Sequence, residues 1–241
     1  TQDAFTVSIN WGDGSAVQQI VRPAGSTDFT AIHTYLDDNP SGTAGDLYPI
    51  SVTLSDGSAT TAPSSTSFTV QNVAPVFTGL TLSGTAIAEG ASLTLSGGLT
   101  DIGPLDTHTV TVNWGDGTAP EFLTLSPAKT FSATRLYSVP GSYTVITTAT
   151  DDDGGTVTDT RLLVVADLAP SITPSTPSTV QEGALFTQTG GFTDLTGSED
   201  HWTATVRYDN GPVLPLSLNP NQTFTLDHIF TDNSPHTATV T

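Results

Sequence analysis

The sequence predicts an all-β protein of tandem immunoglobulin-like β-sandwich domains, with about seven strands each, arranged end to end. Three observations support this prediction. The motif Asn-Trp-Gly-Asp-Gly occurs at residues 10–14 and again at 113–117, and a degenerate copy lies at 207–211. Landmark residues recur 93 to 95 positions apart. Apolar and polar residues alternate as in strands, and the period of an amphipathic helix is absent.

The repeated motif joins a strand to a tight turn. Val110 and Val112 precede Trp114 at every second position, which is the pattern of a strand with one buried face. In the turn, glycine permits a positive φ angle, and an Asp side chain can accept hydrogen bonds from nearby backbone N–H groups. We therefore expect the aromatic ring to be part of the core and the Asp to be structural. These structural turn residues are Trp11, Asp13, Trp114 and Asp116.

The constant spacing divides the chain into three repeats. Pro75 and Pro170 each end a short joint and lie 95 residues apart, as do Tyr48 and Tyr143. A spacing this regular indicates tandem repeats. The predicted domains are 1–75, which lacks its first strands; 76–170, which is complete; and 171–241, which stops before its last strand. We accordingly expect the sequence to be a window from a longer protein.

The alternating pattern also places the individual strands, and a pair of turn residues such as Asp56-Gly57 marks a hairpin. In the first repeat, strands are expected at 3–11, 17–21, 27–35, 48–55 and 68–70. In the middle repeat, they are expected near 76–83, 92–96, 109–114, 121–125, 129–137, 142–150 and 157–165.

The set of motifs resembles that of the PKD domain, named for polycystic kidney disease. That family has a strand ending in Trp-Gly-Asp-Gly, followed by His-x-Tyr, Gly-x-Tyr-x-Val and an Asp-rich turn. The matching segments are Trp11–Gly14, His33–Tyr35, Trp114–Gly117, Tyr137, Gly141–Val145 and Asp151–Gly155. The middle repeat has Arg135 at the position of the family's His, and the third repeat has Tyr208 and Asn210 instead of Trp and Asp. The third repeat also has His228-Ile229-Phe230 at the His-x-Tyr position. The resemblance implies a spacer, an adhesive module of a large bacterial surface protein, or an accessory module of a secreted hydrolase.

Composition restricts the possible partners. The 241 residues carry five Lys or Arg and 24 Asp or Glu, for a net charge of −19. This balance argues against nucleic acid as a ligand, because such binding needs clustered basic residues. The chain has no Cys, which excludes disulfides, thiolate zinc sites and thiol catalysis. No nucleophile motif or phosphate loop is present, so we expect no catalytic residues. No apolar run is long enough for a membrane-spanning helix, so we expect no membrane insertion of this segment.

Acidic loops form the candidate metal site. Because chain direction alternates in a seven-strand sandwich, the loops at 100–108 and 150–156 should lie at one pole, near the entry joint. Two carboxylates ~4 Å apart repel by about 4 kcal/mol at an effective dielectric of about 20, so a gathered set needs a cation, protonation or separation into solvent. Hard oxygen ligands from separate loops suit calcium. The alternative is that these carboxylates are solvated and cap their own turns.

The expected calcium would stiffen the joints between repeats. The acids at the entry pole should approach acids at the exit of the preceding repeat. The candidate calcium ligands are Asp101, Asp106, Asp151, Asp152, Glu89, Asp167, Asp194 and Asp200, with Asp153 at the same pole.

Two functional hypotheses follow. The first is a structural or adhesive segment of a long extracellular or cell-surface bacterial repeat protein: a stalk, filament or adhesin shaft. Its partners would be neighbouring repeats of the same chain, other copies in a filament, or a surface polysaccharide or protein. The second is an accessory polymer-binding or spacer module of a secreted hydrolase, which would require a row of exposed aromatic residues.

Overall fold

The computed structural model describes residues 3–38, 42–173, 176–195 and 201–241. Nineteen β-strands form within these ranges, and no α-helix does. The all-β, immunoglobulin-like fold class predicted from alternation is therefore confirmed. In the described residues, no helix is long and apolar enough to cross a membrane.

The chain divides into two compact units. One comprises Thr1–Ser83, Thr94–Thr134 and Tyr143–Leu162, and the other comprises Gly84–Leu93, Arg135–Ser142 and Leu163–Thr241. The division runs through the middle repeat, so the three-domain limits 1–75, 76–170 and 171–241 remain a prediction.

The first repeat contributes one antiparallel sheet. Its strands are β1 (Phe5–Asn10), β2 (Gln18–Arg22), β3 (Gly45–Ser55) and β4 (Ser64–Gln71), in the order β2-β1-β3-β4. Val7 and Ile9 of β1 are buried, in agreement with the alternation that predicted this strand. They pair with Leu54 and Val52 of β3.

One predicted strand of the first repeat is wrong. Residues 27–35 do not form a strand. Their counterpart in the middle repeat is Thr130–Tyr137, which pairs with Ala91–Thr100. Among the described residues of the first repeat, no strand occupies the place that Ala91–Thr100 has in the middle repeat. Residues 27–35 therefore have no neighbouring strand with which to form backbone hydrogen bonds of a sheet.

The middle repeat has two sheets. Its strands are β5 (Val76–Leu82), β6 (Ala86–Ala88), β7 (Ala91–Thr100), β8 (His108–Asn113), β9 (Glu121–Leu123), β10 (Thr130–Tyr137), β11 (Gly141–Asp151) and β12 (Thr156–Ala166). The sheet orders are β10-β7-β5 and β6-β12-β11-β8-β9. The β8–β9 and β8–β11 pairs reproduce the β1–β2 and β1–β3 pairs of the first repeat. This correspondence shows that the two Trp-Gly-Asp-Gly segments occupy the same place in the fold.

The third repeat has the same arrangement. Its strands are β13 (Ser171–Thr173), β14 (Leu185–Thr193), β15 (Ala204–Tyr208), β16 (Val213–Leu216), β17 (Leu218–Asn219), β18 (Thr223–Ile229) and β19 (Ala238–Val240). The sheet orders are β13-β14-β18-β17 and β16-β15-β19. Its core is mostly aromatic and consists of Phe192, Val206, Tyr208, Phe224, Leu226 and Phe230.

Candidate cation site at the first joint

The Gly-Asp-Gly turns are stabilised by hydrogen bonds to the side chain of their Asp. Gly12 and Gly14 have φ angles of 84° and 78°. The Asp13 carboxylate accepts hydrogen bonds from the Ser15 backbone N–H at 3.0 Å and from the Ser15 hydroxyl at 2.6 Å, and it contacts His33 Nε2 at 2.6 Å. Burial favours the neutral form, but the hydrogen bonds from Ser15 and His33 outweigh it and lower the pKa of Asp13 to about 2. This carboxylate is committed to the turn.

The middle repeat builds the same turn. Asp116 accepts hydrogen bonds from the backbone N–H and hydroxyl of Thr118 at 3.1 and 2.7 Å. Trp114 is only 1% exposed, and its indole N–H donates to Glu121 at 3.0 Å. Trp11 is half-buried and donates to Gln18. The structure thus places all four predicted turn residues in a strand-end turn.

The third repeat reaches the turn by another route. Asp209 stands at the position of Gly115 and has a positive φ of 47°. Its carboxylate accepts a hydrogen bond from the Thr237 backbone N–H at 2.7 Å and contacts His236 Nδ1 at 2.8 Å. The acid has moved by one position, which explains how Asn210 can replace the motif's Asp.

A different set of acids gathers at what we call the first joint: residues 36–38 and 72–75, the β7–β8 loop at 101–107, and the β11–β12 turn at 151–155. Asp151 organises the β11–β12 turn. One of its carboxylate oxygens accepts from the backbone N–H groups of Asp153 and Gly155 at 3.1 and 2.6 Å, and the other accepts from the Asn72 side-chain amide at 2.9 Å. The first repeat and the middle repeat are thereby linked at this carboxylate.

The β7–β8 loop is fixed in the same way. Asp101 accepts from the Gly103 backbone N–H at 3.2 Å, and its other oxygen lies 2.9 Å from His108 Nε2. Both of these side chains are essentially inaccessible to solvent. The Thr107 backbone N–H donates to Asp152 at 2.9 Å, which ties the loop to the β11–β12 turn. The β7–β8 loop and the β11–β12 turn therefore lie side by side, as the alternating chain direction of the strands predicted.

Within the first joint, seven Asp residues form three overlapping triads. In each triad, carboxylate oxygens from all three members lie within 4.8 Å of one another. The triads are Asp37–Asp38–Asp153, Asp101–Asp106–Asp151 and Asp106–Asp152–Asp153.

Two of these acids are buried and incompletely satisfied. Asp38 is 3% exposed and Asp106 is 8% exposed. Within the part of the chain that the structure describes, each has a buried carboxylate oxygen without a hydrogen-bond partner. Such an atom loses its hydration without compensation, which costs about 1–3 kcal/mol or more for a charged group. Among the described residues, neither oxygen has a contact that offsets its loss of hydration.

The electrostatics of the cluster follow from burial and like charge. Burial raises the pKa of Asp106, and the neighbouring Asp101 carboxylate adds to the effect. Burial likewise raises the pKa of Asp38 and the pKa of Asp153, and Asp38 adds to the rise at Asp153. The group favours any partner that brings positive charge. A cavity of about 330 Å³ lined by Asp37, Asp38 and Asp106 adjoins it.

The structure distributes the predicted ligands unequally. Asp101, Asp106, Asp151 and Asp152 come together at the first joint. Glu89 lies instead at what we call the second joint, residues 166–170 with residues 89–90 and 194–195, where it accepts a hydrogen bond from the Leu168 backbone N–H at 2.9 Å. Asp167 is exposed, and Asp194 accepts from the Trp202 indole at 2.9 Å. Asp200 lies outside the described residues.

Sequence reasoning missed Asp37 and Asp38 as candidate ligands. They follow Tyr35 of the His-x-Tyr motif by two and three residues, whereas the middle repeat has Val139 and Pro140 at the matching distance from Tyr137. An alignment of the repeats could have found them, because the position that is acidic in the first repeat is occupied by apolar residues in the middle repeat.

Comparison with known proteins gives one family. Residues 72–165 match the family described as PKD domain. No curated protein matches the sequence. Similar solved structures include a tetra-tandem repeat from the extending region of a large adhesion protein, at 15% identity and a TM-score of 0.41. The alignment covers 99% of this chain and 66% of that one.

Two further structures are similar. The bacterial integrin-binding protein invasin is 16% identical, with a TM-score of 0.32 and coverage of 99% of this chain and 49% of that one. Dimeric latent PorU from Porphyromonas gingivalis is 11% identical, with a TM-score of 0.29 and coverage of 98% and 28%. The chain thus spans less than two thirds of each of these proteins. Likeness at this level does not indicate a shared ligand or partner.

Proposed function

The chain contains a PKD domain at residues 72–165, and from this premise we propose that it is a structural segment of an extracellular, adhesin-like repeat protein whose first joint is held by calcium. The observation that carries the proposal is the group of seven Asp residues at the first joint, with a buried unpartnered oxygen on Asp38 and on Asp106. In this role the segment transmits position and force between repeats.

The donor set favours calcium over other metals. Every donor atom of the triads is a carboxylate oxygen, and the donors come from three separate chain segments. The chain has no Cys. Calcium takes about 6–8 oxygen ligands in flexible geometry, and extracellular modules bind it with Kd values of about 10⁻⁴–10⁻³ M. Magnesium demands near-octahedral geometry and retains several waters. An ion bound between irregular loops therefore matches calcium best.

Calcium at this place would act on the joint itself. Asp37 and Asp38 belong to the first repeat, and Asp153 belongs to the β11–β12 turn of the middle repeat. An ion shared by the three would hold both sides of the joint. The joint also includes Ala74-Pro75, where proline fixes φ and restricts the preceding residue. Cation and proline together favour one fixed arrangement of neighbouring repeats.

The accessory-module alternative has weaker support. Binding of a polysaccharide by a row of aromatic rings requires exposed rings. Trp114 is buried, and the half-buried Trp11 and Trp202 direct their indole N–H groups to Gln18 and Asp194. A pull-down on chitin, cellulose and collagen tests this alternative: retention of the chain on one polymer would favour it over the structural role.

Thermal unfolding in calcium and in chelator tests the proposed function. We expect calcium to raise the Tm of the chain and chelator to reverse the change. Asp106→Asn combined with Asp153→Asn should remove the response, because every triad contains at least one of these two residues. Asp28→Asn is the matched control, since Asp28 is exposed and lies outside the triads. An unchanged Tm in the wild-type chain would refute calcium binding at this joint.

A further inference from the structure

We propose that the first joint binds two divalent cations, not one, and that the two ions have separate tasks. This inference rests on the proposed calcium function and specifies its stoichiometry. An inner ion would be held by Asp101, Asp106 and Asp151. An outer ion would be held by Asp37, Asp38 and Asp153.

The first argument is geometric. With calcium–oxygen distances of about 2.3–2.6 Å, two ligand atoms of one ion can be no more than about 5 Å apart. The three triads meet this limit, and the largest sets that do so among the described residues have three acidic members. The inner and outer triads share no residue. One ion therefore cannot collect all seven carboxylates, whereas two ions can each take a complete triad.

The second argument is the position of the unsatisfied atoms. Asp106 belongs to the inner triad and Asp38 belongs to the outer triad. Each has a buried carboxylate oxygen that finds no hydrogen-bond partner among the described residues, and both residues are more than nine-tenths buried. If only one ion were bound, the orphaned oxygen of the other triad would stay uncompensated. Two ions satisfy both.

The third argument is charge. Seven ionised carboxylates carry a formal charge of −7, so one divalent cation leaves −5 and two leave −3. Carboxylates whose oxygens lie within 4.8 Å of one another repel, and the repulsion falls with each cation that binds. The second ion thus removes repulsion that the first leaves in place.

The two sites are joined by the third triad. It contains Asp106 of the inner site, Asp153 of the outer site, and Asp152, which is fixed by the Thr107 backbone N–H. Asp106 and Asp153 are therefore close enough for each ion to influence the ligands of the other. The inner ion orders the loops of the middle repeat alone, while the outer ion connects the middle repeat to the first.

Native mass spectrometry of the chain with calcium, supported by calorimetric titration, tests the proposal. We expect two calcium ions per wild-type chain and per Asp28→Asn chain. Asp38→Asn should retain one ion, because only the outer triad loses a carboxylate and with it part of the negative charge that attracts its cation. Unfolding of each variant in chelator checks its folding, and Asp38→Asn should be no less stable there than wild type, because it removes a buried charge.

The outcomes separate the two claims. One ion per wild-type chain would overturn the two-ion inference while leaving the proposed calcium joint intact. No ion would overturn the proposed function as well. Two ions retained by a folded Asp38→Asn chain would contradict the assignment of the outer site. Two ions in wild type with one in Asp38→Asn is the result that the proposal requires.

Discussion

The two joints of this chain differ in the chemistry of their side chains. At the first joint, seven Asp residues come together around the Asn72–Asp151 hydrogen bond. At the second joint, the buried Glu89 accepts from the Leu168 backbone N–H, and its own N–H donates to the Ala166 carbonyl at 2.9 Å. Among the described residues, no acidic triad includes a residue of the second joint.

The difference lies in loop residues, not in the repeated motif. Counted from Tyr35 in the first repeat and from Tyr137 in the middle repeat, Asp37 and Asp38 correspond to Val139 and Pro140. The second joint also uses close packing: a side chain at Gly90 would meet Leu195 at 3.0 Å. A shared fold therefore does not determine how its copies are joined. A few loop positions distinguish the joint that gathers an acidic cluster from the joint in which Glu89 caps a backbone N–H.

The largest expected effect is calcium stabilisation of the first joint. At a calcium concentration 100 times Kd, binding to the folded state contributes about 2.7 kcal/mol per site. Chemical denaturation in calcium and in chelator should show a gain of this size for each ion that the wild-type chain binds. The gain should be lost in the Asp38→Asn, Asp106→Asn double variant. If the double variant kept the full gain, the contrast between the joints would not depend on these acids.

Asn72→Asp would make the first joint still more acidic. It introduces the residue type that occurs at the equivalent position of the second joint, Asp167, 95 residues later. The substitution replaces the donor to Asp151 with another carboxylate. We expect a loss of about 2 kcal/mol in chelator, because a partly buried hydrogen bond becomes a like-charge contact. Calcium should recover more stability in this variant than in wild type, as measured by denaturant midpoints. Equal stability of variant and wild type in chelator would argue against the Asn72–Asp151 link.

Acid sensitivity should originate largely away from the joints. Because the folded-state pKa of Asp13 is about 2 against an ordinary value of 3.8, its ionised form stabilises the fold above pH ~4. This contribution, about 2 kcal/mol at 1.36 kcal/mol per pKa unit, is lost as pH falls through about 2. Asp13→Asn should abolish this part of the pH dependence in unfolding measured in chelator. An unchanged acid transition in the variant would show that the turn is not its source.

The smallest expected effect is at the second joint. Glu89→Gln keeps an oxygen that can accept from Leu168, so we expect the calcium response of the chain to change by less than about 0.5 kcal/mol. Calorimetric titration of this variant should match wild type. A reduced calcium stoichiometry would reveal a cation site at the second joint and would remove the contrast between the two joints.

Much of the fold could be predicted from the sequence, because local alternation and the Trp-Gly-Asp-Gly turn act over a few residues. The strand predicted at 27–35 failed because a strand also needs a neighbour, and periodicity carries no information about neighbours. Asp101, Asp106, Asp151 and Asp152 could be placed together from alternating strand direction. Asp37 and Asp38 could not, because their approach to Asp153 depends on how one repeat meets the next.

The most direct test is a distance distribution across the first joint, measured by pulsed electron paramagnetic resonance. Because the chain has no Cys, spin labels can be placed uniquely at Ser58→Cys and Thr160→Cys, both at exposed positions outside the triads. For the wild-type chain, we predict a narrow distance distribution in calcium that broadens in chelator. In the Asp38→Asn, Asp106→Asn double variant, the distribution should already be broad in calcium and should not broaden further in chelator. Equal widths in calcium and chelator for the wild-type chain would contradict a cation-held joint.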